Sequence, residues 1–143
     1  MAERQAAVHA GGCLCGAVRY QVRGPLRGIL LCHCGQCRRV HGHLGAYSSA
    51  ARADVLIEGA DALVWFASSA RGRRSFCRVC GSSLFFEPVG ESRLAIVAGS
   101  LDQPSGLEVI GHEYVENKAD YVRIDDDLPA CPGDFRAPAA HGS

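Results

Sequence analysis

Charge of one sign is missing from this 143-residue sequence: 15 lysines and arginines face 15 aspartates and glutamates, for a formal net charge of zero. A protein that grips nucleic acid mainly by neutralising phosphates usually carries a basic excess, so zero net charge argues against that class and leaves open only a local basic patch. Long apolar runs are missing too. The longest, Gly28 to Cys32 and Leu94 to Gly99, fall far short of the roughly 20 residues that cross a bilayer, so no membrane partner is expected. Residues Met1 to His9 carry an early acid, Glu3, and lack an apolar core of roughly 7 to 15 residues. No secretory signal is expected, and the expected compartment is the cytoplasm. No internal repeat exists, and no segment holds a helical period. The best helical candidate, Gln36 to His41, is a turn or two long.

Period-two alternation takes the place of the helices. Val18, Tyr20 and Val22 alternate with Arg19, Gln21 and Arg23, which predicts a half-buried strand. Further short β segments are predicted at Ile29 to Cys32, Leu44 to Ser48, Val55 to Glu58, Leu63 to Ala67, Arg74 to Phe76, Ser83 to Glu87, Leu94 to Ala98 and Glu113 to Val115. Regular strands with turn signals point to an all-β sandwich or barrel-like assembly. A chain this long hides about 68 to 70% of its unfolded surface. One domain spanning 1–143 is therefore expected, with its core at about 9–131 and a flexible tail over 132–143.

The chemistry sits in eight cysteines, seven of them in three tight clusters: Cys13-Leu14-Cys15, Cys32-His33-Cys34-Gly35-Gln36-Cys37 and Cys77-Arg78-Val79-Cys80. Neighbours two or three apart close almost no loop and strain a disulfide, whereas they converge readily on a soft cation. Zinc is the leading reading. Seven ligands divide naturally into a closed four-cysteine site and an open three-cysteine site, and closed sites are structural while open ones are catalytic. Spacing alone does not fix which pairs combine. The most economical partition gives Cys32, Cys34 and Cys37 the open site and leaves Cys13, Cys15, Cys77 and Cys80 to close the other. A histidine completing the triplet is the alternative, with His33, His41 and His43 all near, although His33 alternates away from its neighbours on an extended backbone. Gly16, Gly35 and Gly81 each follow a cysteine, where a knuckle needs positive φ.

The stretches Gly12-Cys13-Leu14-Cys15-Gly16, Cys32-His33-Cys34-Gly35-Gln36-Cys37-Arg38 and Phe76-Cys77-Arg78-Val79-Cys80-Gly81 resemble the glutathione-dependent formaldehyde-activating enzyme family, which includes centromere-protein-V-like proteins. The segment from His112 through Tyr121, Ile124, Asp125 and Leu128-Pro129 is similar to the family's C-terminal signature, with Tyr121 where tryptophan is common. The resemblance runs from about Gly12 to Phe135. It implies twisted antiparallel sheets around a structural zinc, an Mss4-like or β-tent fold, with that zinc on Cys13, Cys15, Cys77 and Cys80. It implies a second zinc on Cys32, Cys34 and Cys37, the catalytic site. The implied activity is a carbon-sulfur lyase reaction that joins formaldehyde to the glutathione thiol and yields S-hydroxymethylglutathione.

Three thiolates leave a divalent zinc a weak Lewis acid that suits a soft fourth ligand such as a substrate thiol. Arg38, Arg39 or Arg78 would offset the negative charge or hold a substrate carboxylate. Trp65, Phe66, Phe85 and Phe86 read as core, with walling of a substrate cleft as the second reading. His112 reads as a satisfied histidine, with proton transfer as its functional alternative. Arg71, Arg73 and Arg74 read as a solvated hairpin face, and Cys131 as inert. Two rivals to the enzyme are a non-catalytic zinc module and a redox switch built on Cys32, Cys34 and Cys37.

Overall fold

The computed structural model describes residues 8–136. Its strands are β1 (Val8–Gly12), β2 (Arg19–Arg23), β3 (Ile29–Cys32), β4 (Gly45–Ala51), β5 (Val55–Glu58), β6 (Leu63–Ser69), β7 (Gly72–Cys77), β8 (Ser83–Pro88), β9 (Arg93–Val97) and β10 (Val109–Glu113). The one α-helix among the described residues, α1 (Gly35–His41), lies between β3 and β4. The protein is all-β, as the sequence predicts. The chain divides into two compact units, Met1–Arg27 with Ser48–Gly106, and Gly28–Tyr47 with Leu107–Ser143.

The first unit holds an antiparallel sheet in the order β1-β2-β5 and an antiparallel run of β6, β7, β8 and β9. The alternation in β2 works as expected: Tyr20 and Val22 are buried, like Val18 just before the strand, while their basic and polar neighbours face outward. Tyr20 stands edge-on to Phe85, ring centroids 5.1 Å apart, and Trp65 stacks on Phe85 at 6.4 Å. The Tyr20 hydroxyl donates to Ser100 Oγ at 2.6 Å, and that serine donates onward to the Val97 carbonyl. A buried phenol without a partner would be costly, and burial pushes this one up to about 12. Phe85 is the hub of this packing and is only 1% exposed. Phe85→Ala should lower stability by about 3–5 kcal/mol, read as a fall in the urea midpoint.

In the second unit β3 pairs antiparallel with β4, placing Cys32 opposite Gly45 and Leu30 opposite Tyr47. On its other side β3 pairs with β10, which runs parallel to it, with Glu113 opposite Cys32. The expectation of antiparallel pairing therefore fails here, and again at the isolated parallel bridge between His112 and Ala130. Strands joined by a long connection need not turn back as a hairpin does, so parallel pairing is open to them.

Several strands begin or end one to three residues from expectation, and two departures are larger. The last strand was expected at Glu113 to Val115, but Tyr114 adopts φ 57° and the backbone turns into a short 3-10 helix over Val115–Asn117. β10 therefore precedes that point. β1, with the sequence Val-His-Ala-Gly-Gly, has no apolar alternation to announce it, and is held by its ladder to β2. Of the expected tail 132–143, residues 137–143 lie outside the described residues, as does most of the stretch Met1 to His9. Nearer the core, the Phe135 amide donates to Glu113 Oε1 at 3.1 Å. No helix among the described residues is long and apolar enough to cross a membrane.

Candidate metal centres

Two tight turns build the first cluster. After β1, the Cys13 amide donates to the Val18 carbonyl and the Val18 amide donates to Cys13 Sγ at 3.3 Å, so the sulfur points into its own turn. After β7, the Val79 amide donates to Cys77 Sγ at 3.3 Å and the Gly81 amide closes on the Cys77 carbonyl. Gly16 and Gly81 have φ of 84° and 79°, so these two knuckles need glycine. Gly35 does not: it is the first residue of α1.

Cys13, Cys15, Cys77 and Cys80 come together, all four sulfurs within 4.8 Å of one another. Cys13 and Cys15 lie 3.6 Å apart at sulfur, and Cys15 and Cys77 lie 3.7 Å apart. Sulfurs around a tetrahedral zinc with bonds near 2.3 Å sit about 3.8 Å from one another, so the donor set fits that ion. Ser82 ties the knuckles together. Its Oγ accepts from the Leu14 amide at 3.0 Å and lies 3.2 Å from Cys80 Sγ. That hydroxyl, with the Ser82 and Cys15 amides, lowers the Cys80 thiol to about 5. Sequence reasoning missed Ser82, for a serine after a turn glycine carries no metal signal.

The second cluster is Cys32, Cys34 and Cys37, with the three sulfurs again within 4.8 Å. Cys32 ends β3, Cys34 is the N-cap of α1, and Cys37 is buried in the first turn. The Cys37 amide donates to Cys34 Sγ at 3.3 Å, the bond a capping serine ordinarily accepts. Contact with Cys32 and Cys37, aided by the Cys37 and Gln36 amides, drives the Cys34 thiol down to about 2. Cys32 moves the opposite way, pushed up by Cys34, by Cys37 and by its own burial. Cys34 thus ionises before Cys32. A thiolate at a helix N-terminus is the form that binds soft metals, and three such sulfurs suit zinc.

None of the three nearby histidines belongs to this cluster. His33 Nε2 meets His112 Nδ1 at 3.0 Å, and His112 Nε2 meets Asp126 Oδ2 at 2.9 Å, so a buried histidine pair ends on an exposed carboxylate. Burial, and then the charge of His112, holds His33 below the usual imidazole value, while the His112 ring holds Asp126 below the usual carboxylate range. His41 Nε2 meets the Tyr47 hydroxyl at 2.6 Å. His43 stacks on Tyr121 and shares a 3.1 Å hydrogen bond with its hydroxyl. Sequence reasoning missed Tyr47 and Asp126, whose contacts arise only from strand register and loop closure.

The remaining candidates sort by burial. Phe85 is core, Trp65 and Phe86 are half-buried, and Phe66 is exposed. Arg73 lies 4.2 Å over the Trp65 ring and pairs with Glu87 at 2.7 Å, and Arg74 lies over Phe86. The basic run is therefore a hairpin face satisfied by its own strands. Arg39 and Arg78 are exposed and Arg38 half-buried. Cys131 Sγ accepts from the Arg136 amide at 3.4 Å and is a member of neither cluster.

An all-β chain carrying two compact thiol clusters, each able to hold a soft metal ion, defines a cysteine-ligated metal-binding class of protein. Within that class the chain belongs to the glutathione-dependent formaldehyde-activating enzyme family, whose profile matches residues 8–117. It is 32% identical over 126 residues to a Halomonas elongata protein named as a candidate glutathione-dependent formaldehyde-activating enzyme, with 80% of each chain covered. Its fold is similar to the crystal structure of a Rhodobacter sphaeroides protein at a TM-score of 0.57 and 22% identity, covering 70% of this chain and 98% of that one.

Proposed function

We propose that this protein joins the thiol of glutathione, or of a similar small molecule, to formaldehyde to give S-hydroxymethylglutathione, and in reverse acts as a carbon-sulfur lyase on that adduct. The thiol sulfur bonds to the aldehyde carbon, the carbonyl π pair moves to oxygen, and the thiol proton ends on that oxygen. Cys32, Cys34 and Cys37 form the catalytic metal site, and Cys13, Cys15, Cys77 and Cys80 hold a structural zinc. The observation that carries this reading is the second cluster: three sulfurs gathered at one helix N-terminus, with His33, His41 and His43 each bonded elsewhere. Zinc held there would take a soft fourth ligand, a substrate thiol, and favour its deprotonated form.

The chain's own part is to fix the donors before any substrate arrives. The Cys37 amide pins Cys34, and the β3 ladder pins Cys32 opposite Gly45. Arg38 and Arg39 follow the last ligand on α1 and supply positive charge against the sulfur cluster and toward substrate carboxylates. The reading takes the chain as one cytoplasmic domain. Exchange NMR of formaldehyde and glutathione tests it: the zinc-loaded protein should accelerate exchange well above the spontaneous rate. A rate equal to the spontaneous one would overturn the activity and leave a non-catalytic zinc module.

A further inference from the structure

Cys37 and His41 are four residues apart on α1, the spacing that puts two side chains on one helix face, one above the other. That spacing makes His41 the natural fourth ligand for the Cys32, Cys34 and Cys37 cluster. The geometry around Gly45 places it within reach. A side-chain carbon at Gly45 would lie 3.1 Å from Cys37 Sγ and 3.1 Å from His41 Cδ2, so both atoms crowd one point. In an imidazole ring Cδ2 is bonded to Nε2, and Nε2 is the nitrogen that shares the 2.6 Å hydrogen bond with Tyr47. The ring edge turned toward that point is the edge that bonds the tyrosine. Tyr47 is well placed for this. It lies two residues beyond Gly45 on β4, hence on the same face of the strand, and its Cε2 is 2.6 Å from the same point. It is 7% exposed, and its ring meets His41 edge-on at 5.4 Å.

We propose that Tyr47 is a positioning residue that holds His41 off the Cys32, Cys34 and Cys37 cluster and so keeps that cluster a three-thiol site open to an external thiol. A Cys₃His set is a closed tetrahedron of the structural kind, whereas three protein ligands leave room for substrate. The inference depends on the reading of the second cluster as a substrate-accepting metal site.

The test is ¹¹³Cd NMR of the full chain loaded at both clusters, with the four-sulfur resonance as an internal marker of correct folding. In the unaltered protein, glutathione should move the second resonance alone. Tyr47→Phe keeps the ring and removes the hydroxyl. Its second resonance should shift to that of a three-sulfur, one-nitrogen set, and its glutathione affinity should fall at least about ten-fold, because the imidazole then fills the fourth position. Tyr47→Phe with His41→Phe should recover the response to glutathione. A Tyr47→Phe spectrum and titration like those of the unaltered protein would overturn the proposal, and so would a double variant that stays unresponsive. Should Tyr47→Phe fail to fold, His41→Phe alone decides: an unchanged second resonance supports a histidine held away, and a changed one means that it was a ligand already. If the unaltered protein ignores glutathione, the functional reading fails, while the donor-set shift in Tyr47→Phe still reports on the tyrosine.

Discussion

Cys77→Ser should leave the first unit unfolded. Cys77 is fully buried at the end of β7, and its sulfur joins a cluster whose other turn lies more than sixty residues earlier in the chain. Structural zinc sites contribute an apparent free energy of about 10–16 kcal/mol in small metal-binding peptides. A domain's whole net stability is about 5–15 kcal/mol. Losing even half of the metal term would consume what holds the unit together. Serine also places a hard hydroxyl where a soft thiolate is needed, even though its oxygen can still accept from the Val79 amide. Circular dichroism and bound-zinc content check this result together: the β signal should collapse, and one equivalent of zinc should be absent. Chelation of the native protein should give the same collapse. A variant with the native melting midpoint would show that the four sulfurs bear little of the structure.

Cys34→Ser should do the opposite, with folding preserved and activity lost. Cys34 caps α1 through a bond that serine makes as well or better, so stability should change by about 1 kcal/mol or less. The thiolate goes with the sulfur. The Cys34 thiol is held far below its ordinary value by its contacts with Cys32 and Cys37, and a hydroxyl in its place stays protonated at any physiological pH. Acceleration of formaldehyde and glutathione exchange should drop to the spontaneous rate, with the second metal lost and the first retained. Metal analysis, a urea titration and exchange NMR separate the three effects. Native acceleration from Cys34→Ser would refute a catalytic role for this cluster.

The contrast between these two substitutions shows what could be read from the residues and what could not. The spacings Cys-x-Cys, Cys-x-Cys-x-x-Cys and Cys-x-x-Cys are local facts, so the clusters and the short helix after Cys34 were legible. So was β2, because Val18, Tyr20 and Val22 record a buried face directly. Which cysteines share a cluster is a tertiary fact. Economy suggested the grouping, and only the meeting of two distant knuckles under Ser82 displays it. β1 escaped notice because Gly11 and Gly12 bring no side chains to bury. The end of β10 was misplaced because a tyrosine with positive φ leaves no trace in a hydrophobic pattern. The partners of the histidines were hidden for a similar reason. Tyr47 reaches His41 through strand register, and Asp126 reaches His112 from a loop.

The parallel pairing of β10 with β3 sets an order of events during synthesis. Cys32 enters the world on a strand with one flank bare, and its neighbour Glu113 leaves the ribosome only after some eighty further residues have been made. Until then β3 has β4 on one side and no strand on the other, so the strand that carries the first ligand of the second cluster is completed last.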